Sequence, residues 1–404
     1  MFNIQTVCHK GRRLFSTTSS IFKNRSAIEL IKTAAVYKAS QTDFLLNNGD
    51  KLAGTTYKVL GKELTNSIIE CTGGRVFTSG PTIKSLIHDV DKFYTERGVW
   101  SCANFVLEGL EKDDPVIFDN AKDYLIETLE RCTNKRHYSH IAIKLTGLGH
   151  MDMFKTYHRA QHLLLRDMFR GYAIEHSDGS LVLTRDGVKQ FLKDFGYEYT
   201  EAELDVFFEL AKFEYSNYAR DEIGQVEFYE NVHAHYVYSD KHDTAIIKRI
   251  CESVGLKKNT RKAIERFQKR VIEIIDKSVG HNTKVCVDAE QTYIQKALDG
   301  FTRQLQTHYH KDGVAFILNG YQSYLKSSPF HIRREIDRCR ALGIGFGIKL
   351  VRGAYMEEER RIAKEKHYPS PVWDTIDETH VSYNGNLDYI LNKLDPERGK
   401  YLAH

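Results

Sequence analysis

The sequence predicts an α/β protein with a parallel sheet, and it favours a (β/α)8 TIM-like barrel over a doubly wound sheet. Five short apolar runs each precede a segment that can form a helix: residues 101–107, 140–145, 284–287, 314–318 and 343–351. Alternation of this kind implies parallel strands. Polar residues end the runs, as in barrels whose chemistry lies at the carboxyl ends of the strands. No GxGxxG follows the first run, so a Rossmann nucleotide site is not indicated.

Composition narrows the class of protein. The 404 residues carry a net charge of +4, and five of the 58 basic residues precede the first acidic residue, Glu29. The rest of the chain is therefore close to neutral, which argues against a nucleic-acid partner. Seven scattered cysteines without a CxxC pair indicate neither a disulfide framework nor a zinc site, and we predict no metal. No apolar stretch is long enough to predict a membrane-spanning helix.

Residues 1–28 have the composition of a mitochondrial transit peptide. They are basic, lack acidic residues and are rich in Ser and Thr. The alternative is a disordered basic tail, but composition and N-terminal position together favour targeting. We expect import into the mitochondrial matrix and removal of about the first fifteen residues.

The remaining chain is predicted to contain four segments. Residues 29–97 form an N-terminal helical region, residues 98–150 the first part of the barrel and residues 276–404 the second part. Roughly 140 residues separate the second and third strands, which is too many for one crossover. Residues 151–275 are therefore predicted to be a helical insertion.

Two pieces of the insertion look like EF-hand loops, around Asp178-Gly179 and Asp221–Gly224. Such a loop needs oxygen ligands at its first, third, fifth and twelfth positions, with Gly at the sixth. Gly179 at the sixth position places Arg185 at the twelfth, and Gly224 at the sixth places Ala219 at the first. We therefore predict an EF-hand-like helix pair that binds no structural calcium.

Several blocks at predicted strand ends resemble, in order, those of the proline dehydrogenase family. They are Ile143-Lys144-Leu145-Thr146, Val287-Asp288-Ala289-Glu290-Gln291-Thr292, Leu318-Asn319-Gly320-Tyr321-Gln322 and Lys349-Leu350-Val351-Arg352-Gly353-Ala354-Tyr355-Met356-Glu357, followed by Tyr368-Pro369-Ser370-Pro371. The resemblance covers roughly residues 98–150 and 275–404, and the insertion is similar to that of eukaryotic members.

The resemblance implies a distorted (β/α)8 barrel that holds FAD. It implies oxidation of L-proline to Δ1-pyrroline-5-carboxylate, with electrons passed to ubiquinone and peripheral contact with the mitochondrial inner membrane. NAD is not required. Two alternatives stay open: a hydroxyproline dehydrogenase, which shares these motifs, and a non-catalytic fragment acting as a binding module.

The resemblance also assigns four residues to the substrate. Lys144 pairs with the proline carboxylate, Asp288 lines the site, Tyr355 walls the pocket, and Glu108 pairs with a substrate-binding arginine. Three of these residues also have a purely structural interpretation: Lys144 as a surface lysine, Asp288 as a helix N-cap and Tyr355 as a core tyrosine. A lysine inside Ala-Ile-Lys-Leu is nevertheless unusual for a buried strand unless it faces a polar cavity.

Seven further residues are assigned to FAD by the resemblance. Asn319 stands for the amide that hydrogen-bonds the flavin ring, and Lys349 stands where bacterial members carry an arginine. Gly353 and Ala354 let backbone approach the ribityl and phosphate portion. The other three are Val351, Arg352 and Thr375.

The family's substrate-binding arginines are absent from this sequence. The chain ends at Tyr401-Leu402-Ala403-His404, inside the expected sixth strand, so we expect three of the eight βα units to be missing. We therefore expect the 404 residues by themselves to be inactive.

Overall fold

The computed structural model describes residues 26–80, 82–98, 100–104, 114–133, 138–235, 244–310, 313–393 and 402–403. The chain divides into two compact units. The first holds residues 1–104 and 127–140, and the second holds residues 105–126 and 141–404.

The first unit is mostly helical, as predicted for residues 29–97. Its helices are α1 (Ala27–Ser40), α2 (Asp43–Ile69), α3 (Arg75–Phe77) and α4 (Ile83–Arg97), and the strand β1 (Ser101–Asn104) follows. A capping box begins α4, because Thr82 and Ser85 each accept a hydrogen bond from the backbone of the other. Gly98 ends that helix in the left-handed conformation. Two further elements, α5 (Pro115–Thr133) and β2 (Tyr138–Ile143), each contribute residues to both units.

The predicted insertion lies in the second unit. It contains α6 (Met151–His162), a π-helical segment (Leu163–Arg170), α7 (Arg185–Asp194), α8 (Glu201–Ala211), α9 (Gln225–Asn231), α10 (Ala245–Ser253) and α11 (Lys258–Gly280). It also contains three strands that the helical prediction missed: β3 (Ile174–Glu175), β4 (Leu181–Thr184) and β5 (Glu222–Gly224). They form an antiparallel sheet in the order β3-β4-β5. Strands of two to four residues are too short to show a period of two in the sequence.

Arg185 joins the two EF-hand-like segments. Its Nε donates to Asp221 Oδ1 at 2.7 Å and its Nη1 donates to Glu201 Oε2 at 3.1 Å, while its Nη2 pairs with Asp205. A guanidinium therefore lies among carboxylates at the predicted twelfth position of the first loop. Within the described residues, no group of three or more His, Cys, Asp or Glu side chains could hold a metal ion. The absence of calcium binding stays a prediction.

The rest of the second unit alternates strands and helices, as the sequence predicts. In chain order these are β6 (Lys284–Val287), α12 (Thr292–Tyr309), β7 (Ile317–Gln322), α13 (Ser328–Ala341), β8 (Gly347–Val351), α14 (Met356–Glu365), α15 (Ile376–Lys393) and β9 (Leu402–Ala403). The strands β6, β7, β8 and β9 pair in parallel in that order. Asp288 N donates to Ile143 O at 3.0 Å, which places the end of β2 beside β6. Closure into an eight-stranded barrel stays a prediction.

The strand β7 differs from its prediction. The apolar run at 314–318 predicted a strand, but the strand runs from Ile317 through Asn319, Gly320 and Tyr321 to Gln322. All six residues are buried. The polar pair Asn319 and Gln322 can be buried because both amides are hydrogen-bonded. Because the second half of β7 contains polar residues, the search for apolar runs did not detect it.

Apolar packing joins β8 to the helices around it. Ile348 and Leu350 of β8 pack with Ile332 and Ile336 of α13 and with Ile390 of α15. This packing fixes the outer face of the strand, so the alternate residue Lys349 is directed to the opposite face. None of the described helices is long and apolar enough to cross a membrane.

A buried ion cluster connects the insertion to α13. Arg338 is 4% exposed, and its guanidinium pairs with Glu230 of α9 and, at 2.5 Å, with Glu335 of its own helix. Glu230 and Glu335 are also buried, at 6% and 2% exposed. Arg338 Nη2 also donates to Thr307 Oγ1 of α12 at 2.7 Å. Three helices are thus joined through one desolvated cation.

Candidate active site

The carboxyl ends of β2, β6 and β8 bring polar side chains together. Lys144 and Asp288 each follow the last residue of their strand, while Lys349 lies within β8 and Tyr355 immediately precedes α14. Parallel strands place their carboxyl ends at one edge, so residues far apart in sequence meet there. The structure thus brings together three of the four predicted substrate residues, together with Lys349.

A hydrogen-bonded chain crosses this edge. Lys144 Nζ donates to Tyr355 Oη at 3.0 Å, and Tyr355 Oη donates to Glu290 Oε2 at 2.7 Å. The other carboxylate oxygen of Glu290 accepts from Thr146 Oγ1 at 2.8 Å. Both ends of the chain are therefore fixed: the ammonium by the tyrosine, and the carboxylate by two hydroxyl groups.

Burial controls the proton affinities in this chain. It raises the pKa of Glu290 above its usual value, against the opposing effects of the Lys144 charge and the two hydroxyl hydrogen bonds. Burial and the neighbouring Glu290 also raise the pKa of Tyr355. Tyr355 therefore stays protonated, and its hydroxyl donates to the carboxylate while it accepts from the ammonium.

Lys349 and Asp288 form a second charged pair. Lys349 Nζ contacts Asp288 Oδ1, and the two side chains are 15% and 11% exposed. Gly320 pairs with Lys349 across the sheet. A Cβ atom at Gly320 would lie 2.5 Å from Ala289 N, so only glycine permits this close approach between β7 and the segment after β6. Lys349 consequently reaches Asp288 across a strand position that carries no side chain.

Gln322 was not among the predicted site residues, and the structure places it at the same edge. Its Nε2 donates to Glu290 O at 2.8 Å and its Oε1 accepts from Ala354 N at 3.2 Å. Glu290 and Thr146 were likewise not assigned a role. All three lie inside the recognised blocks, so the signal for them was present, but nothing in the sequence shows which block residues face inward.

The predicted cofactor segment after β8 is open to solvent. Arg352, Gly353 and Ala354 are exposed. Gly353 has φ of 141°, and a Cβ atom there would lie 1.3 Å from the ring carbon Cδ1 of Tyr324. The Tyr324 ring therefore suffices to explain this glycine.

Arg352 and Val351 lie beside that segment. Arg352 Nε donates to His380 Nδ1 of α15 at 3.0 Å, and its guanidinium lies 4.3 Å from the Tyr383 ring centroid. Val351 is the last residue of β8 and its carbonyl accepts from Ser323 N at 2.8 Å. Both residues border the exposed backbone rather than the Lys144 chain.

Two predicted cofactor residues lie elsewhere. Asn319 donates from Nδ2 to Asp299 Oδ1 of α12 at 3.0 Å, on the side of the sheet away from Lys349. Thr375 and Glu378 exchange hydrogen bonds at the start of α15. Glu108 lies outside the described residues.

Comparison with known proteins identifies the family of this chain. The model of the family described as proline dehydrogenase matches residues 184–402. The chain belongs to the proline dehydrogenase family. The match includes β6, β7 and β8 and most of the insertion, so it covers more than half of the chain and three of the site's four strand-end blocks.

The names of individual relatives agree with this family assignment. The chain is 23% identical over 457 residues to mitochondrial proline dehydrogenase 1 of Caenorhabditis elegans, covering 96% of this chain and 72% of that protein. It is 36% identical to the human mitochondrial enzyme of that name over 129 residues, covering 32% of this chain and 21% of that protein. Hydroxyproline dehydrogenase of Xenopus laevis is 36% identical over 126 residues, with 31% and 27% covered. The chain thus spans less than two thirds of most of these relatives.

A solved structure supports the fold. Proline utilization A from Bdellovibrio bacteriovorus, inactivated by N-propargylglycine, aligns with a TM-score of 0.51 at 13% identity, over 96% of this chain and 32% of that one. At that identity the likeness concerns architecture alone. It agrees with a TIM-barrel-type arrangement of the parallel sheet.

Proposed function

We propose that the protein oxidises L-proline to Δ1-pyrroline-5-carboxylate, with FAD as hydride acceptor and ubiquinone as the final electron acceptor. One observation carries the proposal: the Lys144 ammonium is held 3.0 Å from Tyr355 Oη at the carboxyl ends of two strands, in a chain of this family. A fixed cation beside an aromatic ring suits a small amino acid that has one carboxylate and one apolar ring.

In this proposal Lys144 binds the substrate carboxylate. Its ammonium already lies within reach of the Tyr355 hydroxyl and 5.6 Å from the Tyr355 ring centroid. The Tyr355 ring then forms one wall against the pyrrolidine methylenes. Glu290 acts through Tyr355, because its carboxylate holds the phenol in place. Glu290 is a positioning residue here, and Asp288 positions Lys349 in the same way.

The cofactor residues present are compatible with FAD. The exposed backbone of Gly353 and the exposed Arg352 cation offer a donor and a charge suited to the phosphate portion, whereas Ala354 N is already hydrogen-bonded to Gln322. Lys349 lies between the strand ends, where it can meet the flavin ring. FAD, when bound, would supply the acceptor for the hydride that leaves proline C5, and the proton of the substrate nitrogen would pass to water. Asn319 would take part only by leaving Asp299.

Hydroxyproline is a second candidate substrate. The identity to the Xenopus laevis hydroxyproline dehydrogenase equals that to the human proline dehydrogenase at 36%. Lys144 and Tyr355 meet parts that the two substrates share, since the ring hydroxyl lies away from the carboxylate. The ratio of kcat/KM for proline and trans-4-hydroxyproline decides between them.

We further propose that the protein acts in the mitochondrial matrix with peripheral contact to the inner membrane. Relatives in worm, human and slime mould are named mitochondrial, and residues 1–28 have a transit-peptide composition. A fluorescent reporter fused to residues 1–30 tests the first part. A diffuse cytosolic signal would contradict the proposed mitochondrial targeting.

The activity is tested on the protein expressed from the full reading frame that contains this chain. Purified protein loaded with FAD is mixed with proline and a ubiquinone analogue, and flavin bleaching and quinone reduction are followed together. The expected result is proline-dependent bleaching that reverses on addition of the quinone. A yellow protein that neither proline nor hydroxyproline bleaches would overturn the proposal.

A further inference from the structure

A cavity lies between the insertion and the helices that follow β6 and β7. It has a volume of about 470 Å³. Its walls come from the π-helical segment, α9, α12 and α13, and it reaches the strand ends at Ala289 and Gln322. Lys144, Lys349 and Tyr355 do not line it. The cavity is therefore a compartment beside the candidate active site rather than part of its charged chain.

The walls of this cavity are strongly basic. Five cationic side chains line it: Arg166, Arg170, Lys296, Arg303 and Arg334. Among the described residues that line it, Asp299 is the only acid. That carboxylate already accepts from Gln295 Nε2 at 2.8 Å and from Asn319 Nδ2 at 3.0 Å. Asp167 acts on Arg166 and Lys296, and Glu335 on Arg334, from outside the wall. Three carboxylates still leave the five cations in excess.

Arg303 shows the imbalance most clearly. The residue is 3% exposed, and within the described part of the chain its Nε and Nη2 atoms have no hydrogen-bond partner. Its guanidinium lies 5.8 Å from the Tyr229 ring centroid, and that of Arg334 lies 4.6 Å from the same ring. An aromatic face offsets part of a cation's charge but accepts no directed hydrogen bond of normal strength. Buried donors of this kind are costly unless something accepts from them.

Lys296 is a second, partly buried cation in the wall, and its nearest hydrogen-bonding side chain is uncharged. Lys296 Nζ lies 2.9 Å from His162 Nδ1, and Arg166 Nη1 lies 3.4 Å from Nε2 of the same ring. A neutral imidazole accepts at one nitrogen only, so the ring cannot accept from both cations. Burial and the neighbouring arginines lower the pKa of Lys296 to about 8. The same causes lower the pKa of His331, at the cavity wall, to about 3. The charged side chains at the cavity therefore include more cations than carboxylates.

We propose that this cavity binds a small organic phosphate. Several arginine guanidinium groups match the geometry and charge of a phosphate better than those of a single carboxylate. The volume lies within the usual range for small-molecule sites and exceeds the need of one oxyanion. Leu165, Leu325 and Tyr229 offer apolar surface for the organic part. The site is separate from the proposed proline site, and the inference does not depend on that activity.

Calorimetry with phenyl phosphate, inorganic phosphate and phenol tests the proposal. The protein is saturated with FAD beforehand, so that the phosphate portion of the flavin site is filled. We expect phenyl phosphate to bind most tightly, inorganic phosphate at least tenfold more weakly, and phenol not measurably. Binding of phenol as strong as that of phenyl phosphate, or no binding of phenyl phosphate at millimolar concentration, would overturn the proposal.

Variants locate the binding. Arg303→Gln should weaken phenyl phosphate at least tenfold, whereas the control Arg340→Gln, an exposed arginine on α13 paired with Asp337, should leave it unchanged. Asp299→Asn should tighten binding, because it removes the one acid found among the described residues of the wall. If Arg303→Gln does not fold, Lys296→Met takes its place, and the same weakening of phenyl phosphate binding is expected. Unchanged affinity in Arg303→Gln or Lys296→Met, or weaker binding in Asp299→Asn, would show that the ligand sits elsewhere.

Discussion

Replacing Lys144 by alanine tests the proposed substrate contact directly. The substitution removes the only partner assigned to the proline carboxylate, and losing one member of a desolvated charge pair costs roughly 2–5 kcal/mol. That range corresponds to a loss in kcat/KM between about 30-fold and a few thousand-fold. Lys144 is only half-buried, which favours the lower end. Glu290, left without the nearby cation, would repel the substrate carboxylate and favours the upper end.

The pH dependence separates these two contributions. The Lys144 charge lowers the pKa of Glu290 against the effect of burial, so Lys144→Ala should raise the pKa of Glu290 further. As pH falls through that raised pKa, Glu290 loses its charge and the repulsion disappears. The deficit of the variant relative to the wild type should therefore shrink towards low pH and grow towards high pH.

The assay follows steady-state turnover with a ubiquinone analogue from pH 5.5 to 9, with FAD content measured by absorbance. The loss should lie mainly in KM, and FAD content should be nearly unchanged. Lys326→Ala is the matched control, because Lys326 forms an exposed pair with Asp374. Loss of flavin equal to the loss of activity would show that Lys144 serves the cofactor, and a deficit independent of pH would refute the role given to Glu290.

Three further predictions concern other parts of the second unit. Because the folded-state pKa of Lys296 is lowered from 10.5 to about 8, the unfolded chain binds more protons between those values. Stability should rise by up to about 3 kcal/mol from pH 8 to 10.5 in urea unfolding, and Lys296→Met should lose that rise. Arg338→Met leaves Glu230 and Glu335 buried together and should lower the free energy of unfolding by about 3–5 kcal/mol; a loss below about 1 kcal/mol in the same urea assay contradicts this. Calorimetry with calcium should give no binding heat, because Arg185 occupies the loop pair, and a dissociation constant on the order of micromolar would refute this.

The family resemblance assigned Lys144, Asp288 and Tyr355 to the substrate, and the structure brings all three to one edge together with Lys349. Their roles stay predictions, but the strand-end positions of Lys144 and Asp288 alone predict that these two residues lie close together. The argument works because parallel strands share a direction. Any side chain that follows an apolar run by one or two residues must then lie near its counterparts.

The sequence did not show which face of a strand each side chain lies on. Asn319 and Gly320 are neighbours in β7, and a shift of one residue exchanges their faces. The structure turns Asn319 towards Asp299 and places Gln322 at the site edge. The cofactor role of Thr375 stays a prediction. In the structure Thr375 and Glu378 form a helix cap, which a threonine followed three residues later by a glutamate also predicts. Local sequence cannot distinguish these roles.

The cluster around Arg338 limits how far the insertion can be regarded as a removable module. Glu230 comes from the segment between β2 and β6, yet its charge is neutralised by a helix that follows β7. Cutting out residues 151–275 would leave a guanidinium in the apolar flank of the sheet with one carboxylate in place of two. A shortened enzyme would therefore need Arg338 replaced together with the deletion. Protein engineers and evolution face the same coupling: changes in length of the insertion must preserve the reach of α9 to α13, whereas changes in its distal loops are free of this constraint.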